Sequence, residues 1–266
     1  MHTTVIKIGG ALVSNDDALD ILWSSVSKLV ATRRVVVVHG GGGRATDVAR
    51  KLDHEPRVVQ GRRVTTDLDL TIVQWTMRGE LNSRLVAGAV AHELRAVGIS
   101  GADGPTLVVV KRPPWNVDGE QVDFGWVGDV ASVEPALLTL LLENGFVPVV
   151  APIGVDASGR LFNVNADTVS RAVAGALDAD EYLLVTESGG VRRDAADPST
   201  HLSTCDEALF MEGCTEGWIA GGMRVKLTVA FDALEQGVDQ VFIVPPEGIL
   251  DRALGTRVKA SSYPTL

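Results

Sequence analysis

Two periods of apolar residues alternate along the chain. Short runs rich in Val, Ile and Leu occupy residues 3–8, 35–38, 106–110, 147–150, 182–185 and 240–244, and such runs read as strands buried on both faces of a parallel sheet. Between them, residues 16–31, 66–91, 133–143, 166–176, 205–212 and 223–236 place apolar side chains every three or four positions, the helical period, with Asn15, Thr65 and Asn165 positioned as caps. Strand and helix in alternation predict an α/β sheet covered on both faces. Residues 118–128 interrupt that alternation. Glycines there bracket Val122, Phe124 and Trp126 at every second position, which predicts a β-hairpin forming a lid or rim. A compact boundary at 176–180 divides the chain into lobes 1–177 and 178–266.

Composition narrows the classes. Apolar residues make up 45% of the 266 positions, enough for a real core, and no apolar run reaches the roughly 20 residues of a membrane span. The N-terminus enters the first apolar run without a basic region or cleavage site, so the expected compartment is the cytoplasm, with no membrane partner. Cys205 and Cys214, with only His201 nearby, fit neither a zinc site nor a disulfide framework; both read as reduced, and no protein-held metal is predicted. A net charge of −10, with Lys and Arg scattered, argues against nucleic acid as a partner. A polyphosphate substrate would then need locally placed cations. Lys7 and Lys226, each beside glycines, supply them.

Five clusters carry candidate chemistry. Lys7-Ile8-Gly9-Gly10 ends the first strand, where glycines let backbone N–H groups approach an anion and the lysine adds a compact positive charge. His39-Gly40-Gly41-Gly42-Gly43 follows the second strand and opens a helix near Arg44, so free amides and a helix N-terminus favour an anionic ligand. His39 itself reads as a satisfied loop histidine rather than a base. In Gly61-Arg62-Arg63-Val64-Thr65, an arginine before a long helix suits a carboxylate clamp, though a solvated arginine pair fits equally. Asn163-Val164-Asn165-Ala166-Asp167 caps a helix and also sets Asn163 and Asp167 four apart, able to face one cleft. Gly221-Gly222-Met223-Arg224-Val225-Lys226 repeats the glycine-and-lysine arrangement at another helix start.

Two glycine-plus-lysine elements with one aspartate able to hold both ammonium groups form an arrangement for phosphoryl transfer, where catalysis is positioning and electrostatic stabilisation. Other phosphate folds are excluded. Gly40 to Ala45 formally matches G-x-G-x-x-A, but Val58-Val59-Gln60-Gly61 stands where a ribose-binding acid belongs. Neither a P-loop nor a protein-kinase motif set is present.

In this order the five clusters resemble the amino acid kinase family, and within it the branch that phosphorylates N-acetyl-L-glutamate: K-x-G-G, H-G-G-G, G-x-R-V-T, N-x-N-A-D and G-G-M-x-x-K. The resemblance implies a three-layer αβα sandwich with a mainly parallel sheet, the N-terminal lobe holding an acyl amino acid and the C-terminal lobe ATP with Mg2+. It assigns Lys7 and Lys226 to the transferring phosphoryl group and Asp167 to their organisation. Arg63 and Asn163 would contact substrate carboxylates, while Gly9, Gly10, Gly41 and Gly42 donate backbone N–H groups; Gly221 and Gly222 join the phosphate contacts. The substrate carboxylate is the nucleophile, so no protein base is needed. The nucleotide loop maps to Thr186, Ser188 and Gly189, although Val185-Thr186-Glu187-Ser188-Gly189 departs from the family's S/T-D-V-x-G. The chain opens directly at its first strand, without the N-terminal helix of arginine-inhibited hexamers, which predicts a homodimer insensitive to arginine. Rival readings are a kinase for N-succinylglutamate or for carrier-linked aminoadipate or glutamate, and a non-catalytic amino-acid or nucleotide sensor.

Overall fold

The computed structural model describes residues 1–260. Strands β1 (His2–Ile8) and β2 (Arg33–His39) form the middle of an eight-stranded sheet. Beyond β2 lie Val147–Ala151 and Ala96–Ser100; beyond β1 lie Glu181–Val185, Gln240–Val244, Thr256–Val258 and Thr204–Cys205. From Ala96–Ser100 across to Gln240–Val244 every pairing is parallel, and Thr256–Val258 adds antiparallel. The fully apolar runs dictate this. Val36, Val38, Leu184 and Ile243 point to one face of the sheet, while Ile6, Ile8, Val37 and Leu183 point to the other, and all are buried.

Eight helices among the described residues cover those faces and carry the loops: α1 (Asp16–Leu29), α2 (Gly42–Lys51), α3 (Asp67–Val73), α4 (Asn82–Ala91), α5 (Ala136–Glu143), α6 (Ala166–Ala176), α7 (Glu207–Glu216) and α8 (Gly221–Glu235). Helices α5, α6 and α8 bury Leu138, Val169 and Leu227 on the first face, and α1 and α4 bury Trp23 and Leu85 on the second. The result is a three-layer sandwich. None of these helices is long and apolar enough to cross a membrane.

Several sequence expectations shift. The run at 106–110 forms Leu107–Lys111, but in a separate four-stranded mixed sheet with Gly128–Val133, Ile153–Val155 and Leu161–Asn163. Only one side of it is covered: Leu107 and Val109 are buried while Val110 is exposed. Ala96–Ser100 escapes the periodicity because Gly98 interrupts it; a Cβ there would fall 2.2 Å from Oδ1 of Asn82, so the glycine admits α4 against the sheet. The 66–91 helix is continuous but not uniform, since Gln74–Leu81 between α3 and α4 is π-helical. Within it the Thr76 hydroxyl donates to the Ile72 carbonyl at 2.7 Å, competing for a helix acceptor.

The cap of that helix is Thr66, whose hydroxyl accepts from Asp69 N while the Asp69 carboxylate accepts from Thr66 N, a reciprocal capping box. Thr65 does a different job. Its N–H donates to the Phe124 carbonyl and its own carbonyl accepts from Trp126 N, tying the G-x-R-V-T segment to the far side of the hairpin. The hairpin lies earlier than predicted, with arms Trp115–Val117 and Glu120–Val122 and a turn at Asp118-Gly119, both at positive φ. Phe124 and Trp126 follow it as anchors. Helix α5 begins after Pro135 because Val133 still belongs to a strand, and α8 starts at Gly221, two residues before the apolar period begins.

The interval between α6 and Glu181–Val185 falls where a lobe boundary was expected, yet β1 pairs directly with Glu181–Val185, so the sheet runs across it unbroken. Residues 261–266 of the second segment lie outside the described residues.

Candidate active site

Two glycine loops leave neighbouring parallel strands at their carboxyl ends, where α/β sheets place ligands. They touch: a Cβ on Gly10 would lie 3.4 Å from Gly41 N, and one on Gly40 would lie 3.4 Å from Gly10 N. From this junction a cleft of about 280 Å³ opens, lined by Lys7, Gly10, Gly41, Gly42 and Arg63 on one side and by Asn163 and Asp167 on the other. Seven of the predicted site residues therefore meet in one place.

Lys7 is almost wholly buried at the end of β1, and its Nζ stands 2.7 Å from Oδ1 of Asp167, a close ion pair rather than an aligned hydrogen bond. Asp167 is held by the start of α6. The Asn165 side chain caps that helix, accepting from the backbone N–H of Asp167 at 2.9 Å and of Thr168 at 3.2 Å. Lys226 approaches from α8, where its Nζ donates to the Gly222 carbonyl at 3.3 Å. Burial lowers the Lys226 pKa, the nearby charge of Lys7 lowers it further, and Asp167 raises it in part. The three groups thus share one field, but Asp167 directly grips only Lys7. Because α8 begins at Gly221, Lys226 lies in the second helical turn rather than the first.

Arg63 reaches the cleft with most of its donors committed. Its Nη2 donates to the Gly42 carbonyl at 3.0 Å and to Thr46 Oγ1 at 2.5 Å, and its Nη1 donates to Asp69 Oδ1 at 3.4 Å. It locks the N-terminus of α2 in place. Asn163 donates from Nδ2 to Thr65 Oγ1 at 3.1 Å.

His39 is fully buried, and burial pulls its pKa down to about 4, partly offset by its bond to Gly40. Nδ1 lies 2.9 Å from the Gly40 carbonyl and so must donate; Nε2 is left to accept from Asn82 Nδ2 at 3.2 Å. This neutral ring fixes the glycine loop and is no base. Asn82 also donates to the Val149 carbonyl at 2.8 Å. The π-helical stretch supplies Met77 and Leu81, which floor the loop so closely that a Cβ on Gly41 would sit 2.3 Å from Leu81 Cδ1.

The remaining predicted residues stand outside the cleft. Thr186, Ser188 and Gly189 form a turn after Glu181–Val185, with Ser188 N donating to Thr186 Oγ1 at 3.3 Å and Gly189 N to the Thr186 carbonyl at 3.2 Å. Gly9 joins that turn to β1 by donating to the Val185 carbonyl at 3.2 Å. Gly221 and Gly222 stay with Lys226 at the start of α8.

Sequence reasoning missed Arg112 and did not rank Arg62 as a site residue, yet both line the cleft. Arg112 donates from Nε at 2.9 Å and Nη2 at 2.5 Å to Oδ1 of Asp129 and stacks on Trp115, 4.9 Å from its ring centre. The available hint was the basic pair Lys111-Arg112 just before Pro113-Pro114-Trp115.

A cleft at parallel strand ends, floored by two glycine loops and closed by a lysine–aspartate pair, defines a phosphoryl-transfer fold, and the chain belongs to the amino acid kinase family, whose model matches residues 2–245. Among similar proteins, one named acetylglutamate kinase from Methanothrix thermoacetophila is 36% identical, covering 96% of this chain and 91% of the relative. Another of that name from Anaeromyxobacter dehalogenans strain 2CP-C is 40% identical, covering 92% of each. The N-acetylglutamate synthase from Neisseria gonorrhoeae, solved with coenzyme A and N-acetyl-glutamate, shares the fold at a TM-score of 0.80 and 24% identity, covering 98% of this chain and 60% of that one.

Proposed function

We propose that the chain transfers the γ-phosphoryl group of ATP to the side-chain carboxylate of N-acetyl-L-glutamate, the acetylglutamate kinase reaction of arginine biosynthesis. The observation that carries this reading is the 2.7 Å pair of Lys7 and Asp167 between the two glycine loops, with Lys226 in the same field. One carboxylate oxygen of the substrate forms a bond to phosphorus as the bond from phosphorus to the β-bridging oxygen breaks, and ADP leaves with the electron pair. The nucleophile is already ionised, so no proton needs removal. Lys7 and Lys226 neutralise the charge spread over the transferring oxygens, and backbone N–H groups of Gly10, Gly41 and Gly42 orient them.

The acyl amino acid occupies the N-terminal lobe near Arg63 and Asn163, and the nucleotide lies toward Thr186, Ser188 and Gly189 with Gly9, Gly221 and Gly222 at its phosphates. Magnesium enters with ATP, held chiefly through phosphate oxygens. Asp167 is the cleft carboxylate within its reach, and its engagement with Lys7 fits an ion carried by the nucleotide. Exposed Leu68 and Trp75 on the long helix support a homodimer, and the reaction belongs to the cytoplasm.

ATP consumption with MgCl2 and a panel of N-acetylglutamate, N-acetylaspartate, free glutamate and aminoadipate tests this. Selective turnover of N-acetylglutamate, abolished in Lys226→Ala, supports it. ATP binding without turnover of any panel member would sink it and favour a sensor.

A further inference from the structure

The cations lining the cleft are not evenly matched with anions. Lys7 has Asp167 at 2.7 Å, Arg63 has Asp69 at 3.4 Å, and Arg112 has Asp129 at 2.5 Å. Arg62 has none. Among the described residues its guanidinium makes neither a hydrogen bond nor an ion pair, although it is half-buried at the mouth of the cleft. It rests 4.8 Å from the ring centre of Trp115, on which Arg112 also stacks, so two guanidinium groups share one indole. Burial and the charge of Arg112 both lower the Arg62 pKa, with Asp129 opposing in part. A partly desolvated cation beside a second cation carries an electrostatic cost that a bound anion would relieve.

The hairpin keeps it there. Trp115 packs edge-on against the buried Phe124 at 5.2 Å, and Phe124 is tied through its carbonyl to Thr65, three residues after Arg62. The free guanidinium is therefore held in a fixed place.

An N-acylglutamate brings two carboxylates, one reacting beside Lys7 and one for the Arg63 and Asn163 region. Arg62 is left for a third. We infer that Arg62, backed by Arg112 and Trp115, forms an anion subsite that takes a carboxylate at the far end of the acyl group, so that N-acylglutamates built on dicarboxylic acids are substrates. This rests on the proposed kinase reaction and extends its acyl range. A carboxylate there meets a planar fork of donors already ordered by stacking.

The test compares kcat/KM for N-acetyl-L-glutamate, N-succinyl-L-glutamate and the neutral terminal amide of the latter, in the wild type, Arg62→Gln and Arg62→Lys. The wild type is expected to favour the succinyl acid over its amide by about tenfold, equivalent to about 1.4 kcal/mol. Arg62→Gln should cut that preference to below about threefold, through KM rather than kcat, while Arg62→Lys retains most of it. Equal use of acid and amide by the wild type, or an unchanged ratio in Arg62→Gln, overturns the subsite; if N-acetylglutamate is still turned over, the kinase reading stands. Turnover of none of the three removes both.

Discussion

Lys7 and Asp167 join the last turn of the first strand to the first turn of α6 through a 2.7 Å ion pair in a nearly closed environment. Since neither element touches the other in sequence, the pair doubles as a tie between the central sheet and the helix above it. Replacing Asp167 with Asn leaves a buried ammonium without its counter-charge, a change that costs about 3–5 kcal/mol in comparable buried pairs. We expect a clear fall in Tm and a drop in kcat of about 100-fold or more. Thermal denaturation beside steady-state kinetics checks this, and a Lys7→Met, Asp167→Leu double variant should recover much of the Tm but none of the activity.

Lys226 gives the reaction a pH limit. Its ammonium is disfavoured by burial and by Lys7, so its pKa lies below the ordinary 10.5. The charged form is the one that stabilises the transferring phosphoryl group, and activity should therefore decline on the alkaline side before an ordinary lysine would titrate. Lys226→Arg should move that limb upward, because arginine stays charged. The stability effect has the opposite sense: the penalty for burying the charged lysine is full at low pH and fades as pH rises through the lowered pKa toward 10.5. A kcat/KM profile in which the two proteins lose activity at the same pH would contradict this.

His39 and Asn82 predict an acid-labile loop. A neutral histidine with a folded pKa of about 4 against an ordinary 6.5 supplies stability that is present above pH 6.5 and lost as pH falls through about 4. That difference corresponds to roughly 3 kcal/mol. Urea unfolding between pH 7 and pH 4 should show a steeper loss for the wild type than for His39→Gln. Asn82→Ala, which strands the His39 ring nitrogen and the Val149 carbonyl, should cost about 1–3 kcal/mol at neutral pH.

Gly125 anchors the rim. Its φ is +67°, and a Cβ would fall 2.3 Å from the Thr65 carbonyl oxygen, a backbone atom with no freedom to move aside. Gly125→Ala should cost about 1–3 kcal/mol. It should also loosen Trp115 from Arg62, raising KM for the acyl substrate more than it lowers kcat. Tryptophan fluorescence and Michaelis parameters together read both effects.

Much of this molecule was legible in sequence where one physical rule dominated. The strands at 147–150 and 182–185 are buried on both faces, so unbroken apolar runs marked them, and Asn165 announced α6 because its side chain has a single role there. Rules in competition were harder to read. Ala96–Ser100 hides because Gly98 answers to the approach of Asn82 rather than to strand propensity. Thr65 looked like a cap, but its backbone serves the hairpin and Thr66 takes the capping role. In the site, glycine-and-lysine spacing located the cleft, whereas the pairing of each cation with its own carboxylate is a tertiary fact. Asp69, Asp129 and Asp167 lie far from one another in the chain, and no local pattern reveals that Arg62 is the one without a partner.

The π-helical stretch between α3 and α4 sets a constraint of length. An α-helix turns about 100° per residue, so removing one residue from Gln74–Leu81 to restore regular winding would swing everything after it by roughly that angle. Leu81 would leave the underside of Gly41, and Asn82 would turn away from His39. Side chains along this stretch can be exchanged one at a time, but a deletion disconnects the floor of the glycine loop from the helix that supports it. The surplus residue is a spacer, and the segment can drift in composition far more freely than in count.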